Sequence, residues 1–168
     1  MKRNGLTLIE LLSALSITAI LIFGVAPALL QFLAAQRLTN ASLTLSNALA
    51  TARATAVHQQ RTVTLWNIDG DWSSGMEIFL DTNSNGSRDN GEERLRAIDA
   101  LSPVIVKGNY WLKSYVAYRR DGSAKSAGNA FQAGAFTLCS SGRNEARQLI
   151  LSAGGRVRRA STQLETCP

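Results

Sequence analysis

Residues 153–159 read Ala-Gly-Gly-Arg-Val-Arg-Arg, which sets Arg156, Arg158 and Arg159 directly behind a pair of glycines. On an extended strand Arg156 and Arg158 project to one side and Arg159 to the other. Guanidinium forks match phosphate oxygens in shape and charge, so this segment is suited to recognising an anion. Arg143 and Arg147 precede it, and Arg119, Arg120 and Lys125 lie in turns or strands that the fold can bring to the same end. The net charge of +6 is uneven: residues 103–168 hold 10 Lys/Arg against 3 Asp/Glu, residues 1–102 hold 8 against 9. A basic C-terminal region fits nucleic acid or a phospholipid surface; a solvated face, or one turned to a protein neighbour, is the plainer alternative.

The other reactive residue types support less. Residues 81–92 (DTNSNGSRDNGE) match a calcium loop, with Asp81, Asn83, Asn85, Gly86, Asp89 and Glu92 correctly spaced. No amphipathic helix flanks them, and any polar turn uses the same residues, so a turn is expected and no metal is assigned. His58 at a helix end is read as a favourable terminal charge. No serine sits in a glycine elbow with a base partner, and no phosphate-binding glycine loop occurs. The chain is therefore not expected to be an enzyme or to need a cofactor. Cys139 and Cys167 pair if the domain is exported, fastening the arginine-bearing C-terminus at a gain of roughly 3 kcal/mol, and are free thiols otherwise.

Compartment depends on the N-terminus. Leu6–Val25 would span about 30 Å as a helix, enough for a bilayer core. Lys2 and Arg3 would keep its short end in the cytoplasm. Ala26-Pro27-Ala28 offers a signal-peptidase site, but the apolar run continues past it through Leu29, Leu30, Phe32 and Leu33. Neither a cleaved signal nor a plain anchor explains Glu10, a carboxylate that costs several kcal/mol in such surroundings unless partnered.

Beyond Pro27, where a kink is expected, Leu38, Ala41, Leu45, Leu49, Ala52 and Ala56 recur at three- and four-residue steps. Arg37 and Arg53 lie off that stripe. One long helix to about Gln59 is predicted, its first half in a membrane or filament core and its second half on a sheet. Strands are predicted at 61–67, 76–81, 103–108, 115–120, 134–140, 147–152 and 156–160, with hairpin turns at Asp121-Gly122 and Gly154-Gly155. This is an α+β architecture: a long helix packed on an antiparallel β-sheet domain.

The basic leader ending in Gly5, followed by Leu-Thr-Leu-Ile-Glu and a long apolar helix, resembles the class III leader of type IV pilins and type II secretion pseudopilins. Residues 69–96, the Cys139/Cys167 spacing and the closing Gly-Gly-Arg-Val-Arg-Arg are similar to the GspH/FimT branch of minor pilins and minor pseudopilins. The resemblance implies a long helix on two sheets. It also implies cleavage by prepilin peptidase between Gly5 and Leu6, N-methylation of Leu6, and pairing of Glu10 with the new amine of a neighbouring subunit. Leu6 departs from the phenylalanine usual there. The implied organisation is a leader (1–5), a transmembrane helix or filament core (6–26), its amphipathic continuation (27–60) and a periplasmic β-rich domain (61–168). Such a protein sits in the bacterial inner membrane and joins other pilins or pseudopilins in a filament. In FimT-type pilins a Gly-Arg-x-Arg motif is associated with DNA binding, and Gly155-Arg156-Val157-Arg158 matches it. The expected function is that of a minor type IV pilin in pilus assembly that binds double-stranded DNA for uptake; a minor pseudopilin of type II secretion is the alternative.

Overall fold

The computed structural model describes residues 7–167, so the expected cleavage site at Gly5 and Leu6 lies outside the described residues. The chain divides into two units, residues 1–36 and 37–168.

In the first unit, helix α1 (Leu8–Ile20) begins at Thr7 with a reciprocal cap. The Thr7 hydroxyl accepts from the Glu10 N–H at 3.4 Å, and Glu10 Oε2 accepts from the Thr7 N–H at 3.3 Å. Glu10 thus satisfies a helix terminus that would otherwise carry unpaired donors. Ser13, Ser16 and Thr18 donate to the carbonyls of Glu10, Leu12 and Ala14, which leaves the surface of the apolar segment without free hydroxyl donors. Ahead of Pro27 the helix widens into a π turn over Leu21–Val25, with the Ala26 N–H donating five residues back to Leu21. A widened turn just before proline relieves the clash between its ring and the preceding carbonyls. Helix α2 (Ala26–Gln59) follows. The combined helix Leu8–Gln59 has a window of mean hydropathy 2.3 and is long and apolar enough to cross a membrane.

The second unit contains the rest of α2 and two antiparallel sheets. One has the order β3-β2-β1-β5, the other β4-β6-β7-β8. Their strands are β1 (Val63–Asn67), β2 (Met76–Leu80), β3 (Arg94–Ile98), β4 (Ile105–Gly108), β5 (Tyr115–Tyr118), β6 (Gly134–Cys139), β7 (Glu145–Leu151) and β8 (Val157–Gln163). The α2 stripe Leu38, Ala41, Leu45, Leu49, Ala52 and Ala56 is buried in one cluster with Val63, Leu65, Ile78 and Val116 of the first sheet and Phe136, Leu138 and Leu149 of the second. Trp72 bridges the layers, its ring edge-on to Phe136 at 5.0 Å and its indole N–H donating to the Leu112 carbonyl at 2.9 Å.

One expectation changes. Arg94–Ile98 is a strand, unrecognised in the sequence because Arg94 and Arg96 stand exposed on an edge and only Leu95 and Ile98 reach the core. At Asp121-Gly122 the chain turns back on β5 as expected, but the return is short: Ala124 bridges Tyr118, the Lys125 N–H donates to the Ala117 carbonyl, and the Ala124 N–H goes to Ala153. Cys139 and Cys167 are joined, with Cα atoms 5.8 Å apart.

Candidate functional site

The β7–β8 hairpin closes through Ser152, whose carbonyl accepts from the Gly155 N–H (2.8 Å) and whose N–H donates to Arg156 (2.9 Å). Gly155 has φ +76°, and a Cβ there would overlap the carbonyl oxygen of Gly122. The turn carrying Arg156 therefore rests directly on the turn after β5. Arg53 of α2 ties them together: Nε donates to the Gly122 carbonyl at 2.9 Å and Nη2 to the Gly154 carbonyl at 3.1 Å. Tyr118 is buried against Gly155, and burial pushes its phenol well above the ordinary tyrosine range, with the Arg53 charge opposing. Sequence reading passed over Arg53, because a contact that closes 69 and 101 residues away leaves no local signal.

The cations sort into two groups. Arg156, Arg158 and Arg159 are exposed, and no hydrogen bond or ion pair engages their side chains among the described residues. Arg158 lies opposite Ile150 and Arg159 opposite Leu149, so the two point to opposite faces of the sheet. Both also charge the free edge of β8, which hinders strand addition by another chain. On the neighbouring turn Arg119, Arg120 and Lys125 join Arg61 around an open pocket of about 440 Å³ at the C-terminal end of α2. Arg61 was not among the residues singled out from sequence; its place just after the helix end and before β1 was the available signal. The one acidic lining residue, Asp121, is turned into its own loop. The hydroxyl and N–H of Ser123 hold its carboxyl below the usual range, at 2.6 and 2.9 Å.

Arg143 and Arg147 do not join this group. They sit at the opposite end of β7, and both pair with Glu145, at 3.2 and 3.0 Å. Arg147 also donates to Ser161 Oγ at 2.6 Å and shares a groove with Arg159, Thr39, Ser42 and Leu43. A strand of this length sets its ends roughly 20 Å apart, so the expected single cluster is divided along β7.

The calcium-like loop is occupied by its own donors. Asp81, 1% exposed, accepts from the N–H groups of Asn85 and Gly86 and from the Thr64 hydroxyl. Glu92 accepts from the Thr82 N–H and hydroxyl and from the Asp89 N–H. Asn83 and Asn85 both donate to Asp89. Gly86, at φ +80°, lies against the Tyr115 ring, and Arg88 and Arg94 reach Glu77 at 3.4 and 2.9 Å. The loop is thus folded over the outer face of the first sheet. Asp81→Ala strands the buried Gly86 N–H and the buried Thr64 hydroxyl and should lower unfolding free energy by about 2–4 kcal/mol. Urea titration of the full chain in detergent micelles checks this.

Residues 41–155 match the family model described as Type II transport protein GspH, and residues 1–26 match the Prokaryotic N-terminal methylation motif. No curated protein matches at a significant level. Two crystal structures of the type IV minor pilin FimU from Pseudomonas aeruginosa PAO1 share the fold. One has 21% identity and a TM-score of 0.63, covering 82% of this chain and 99% of that one. The other has 23% identity and a TM-score of 0.61, covering 78% and 100%. The leader motif, the long helix on two sheets and a family match across most of the domain agree, and the chain belongs to the GspH/FimT family of type IV minor pilins and pseudopilins.

Proposed function

We propose that the chain is a minor pilin, non-enzymatic, that enters a type IV filament and presents a DNA-binding surface on its β domain. Residues 1–5 are the leader, 6–26 the membrane helix and later filament core, 27–60 its continuation and 61–168 the periplasmic domain. Prepilin peptidase cuts between Gly5 and Leu6, and Leu6 is methylated. Glu10, which caps its own helix in the single chain, exchanges that contact for the amine of a neighbouring subunit on assembly. The carboxylate is then neutralised inside the filament, where an unpaired charge would be costly. Mass spectrometry of the mature protein should find a chain beginning at methylated Leu6; a terminus beyond Ala28 refutes the assignment.

The observation that carries the DNA reading is the docking of the Gly155 turn on the Gly122 turn. It sets Arg156 and Arg158 beside a second basic group, and among the described residues no carboxylate forms an ion pair with a cation of either. Contacts of this kind address backbone phosphates and are indifferent to sequence. With about three or four phosphates neutralised, log affinity should fall against log salt with a slope of about −3. Arg156→Gln with Arg158→Gln should weaken duplex binding by about tenfold or more at low salt, with the melting temperature nearly unchanged. Arg143→Gln with Arg147→Gln should cost much less, because Glu145 already holds those charges. Equal losses in the two double variants would remove the turn from the site.

A second reading, a minor pseudopilin of a type II secretion system, draws on the description carried by the family model. Deletion of the gene separates the two: loss of surface pili and DNA uptake supports the first, and retained pili with arrested protein secretion supports the second.

A further inference from the structure

Outside the lining of the basic pocket at the end of α2, and next to it through Lys125, lies a rim of exposed aromatic rings. Lys125, one of the pocket's lining residues, holds its Nζ 5.1 Å from the centroid of the Phe131 ring, which remains 61% exposed. The next residue, Gln132, is buried and donates to the Trp111 carbonyl at 3.1 Å, which fixes the Phe131 segment beside Tyr110 and Trp111. Those two rings meet edge to face at 5.2 Å and are 84% and 52% exposed. Elsewhere in this unit Trp72, Phe79, Tyr118 and Phe136 are buried, and Trp66 and Tyr115 are half-buried. Aromatic rings left in water are thus gathered beside cations that no carboxylate holds in an ion pair.

That combination discriminates between forms of nucleic acid. A duplex offers phosphates but keeps the faces of its bases stacked on one another. An unpaired strand offers phosphates and free base faces together, and proteins that bind it combine a basic groove with aromatic platforms. We propose that the pocket and its rim bind an unpaired DNA strand, with backbone phosphates against Arg61, Arg120 and Lys125 and a base stacked on the open face of Phe131. The inference rests on the reading that this domain binds DNA, and it assigns the preferred form. Lys125 then acts twice: it supplies charge to the phosphate, and by covering one face of Phe131 it leaves the other for the base.

The test is fluorescence anisotropy with the full mature chain in neutral detergent micelles. A labelled deoxythymidine oligomer is compared with a duplex of equal length. The parent should bind the single strand more tightly. Phe131→Ala should weaken that binding about tenfold and leave duplex binding unchanged, while Phe131→Tyr should retain it. Arg61→Gln with Arg120→Gln should reduce the single-strand salt slope by about 1.4, two phosphates' worth. All these side chains are exposed, apart from the part-covered Lys125, so melting temperatures should hold. If Phe131→Ala binds the oligomer like the parent, the proposal fails and charge alone governs binding. It also fails if the aromatic variants assemble poorly into filaments with single-strand affinity intact, since the rim is then a protein contact. If the parent binds neither form of DNA, it is the DNA reading itself that falls.

Discussion

Gly155→Ala is expected to lower the unfolding free energy by about 3–5 kcal/mol, a large part of the 5–15 kcal/mol typical of a folded domain. Two effects add. An alanine held at φ +76° bears the cost of the left-handed region, roughly 1–2 kcal/mol. Its Cβ would also overlap the Gly122 carbonyl, a backbone atom that cannot rotate away, so the two turns must part. Parting them pulls both acceptors from Arg53, whose bonds to Gly122 and Gly154 are each charge-assisted. Arg53→Ala removes that clamp without forcing the backbone and should cost less, about 1.5–3 kcal/mol. The double variant should fall short of the sum, because both changes break the same contact. Urea midpoints of the four proteins supply the cycle. DNA affinity of the folded Gly155→Ala protein should fall as well, since Arg156 moves away from the pocket cations. Wild-type stability in Gly155→Ala would mean that the two turns are not in contact.

The pattern of what sequence revealed follows the range of each interaction. The helix end at Gln59 and the stripe from Leu38 to Ala56 were legible because a 3.6-residue period is local and a turn's contacts fall within four residues. The Gly154-Gly155 hairpin was legible for the same reason. The sorting of strands into two sheets was not, since β1 pairs with β5 across some fifty residues and only the resemblance pointed to a second sheet. β3 was missed because an edge strand with arginines outward lacks the apolar alternation that marks a half-buried one. In the proposed site, Arg156, Arg158 and Arg159 were singled out by composition and spacing together with the motif resemblance. Their separation from Arg143 and Arg147 depends on strand register, and on Glu145 standing between those two arginines in sequence, where it pairs with both. The calcium-like loop shows why spacing alone assigns no metal: a pattern that satisfies the motif also satisfies the self-bonded turn expected there, with its N–H groups directed at Asp81 and Glu92.

Cys139→Ser with Cys167→Ser should cost roughly 3–4 kcal/mol, from the entropy of a chain no longer closed across a separation of 28 residues. Where that loss is felt follows from register. Cys139 lies opposite Ala146, and Gln163 lies opposite Glu145, so the bond fastens the end of β8 remote from its hairpin turn. Next to it the tail is held by the Leu164 N–H on the Asn144 carbonyl, and β8 has β7 alone as its ladder partner. Fraying should start there, with amide exchange accelerating at 161–167 well before 157–159. The turn bearing Arg156 is fixed independently by Arg53 and by its seat on Gly122. The disulfide therefore does not fasten the arginines as the sequence alone implied, and DNA affinity measured below the lowered melting temperature should change less than twofold, under about 0.4 kcal/mol. Matching losses of exchange protection along all of β8, with a parallel loss of binding, would show instead that the strand moves as one piece and that the Arg53 clamp holds nothing by itself.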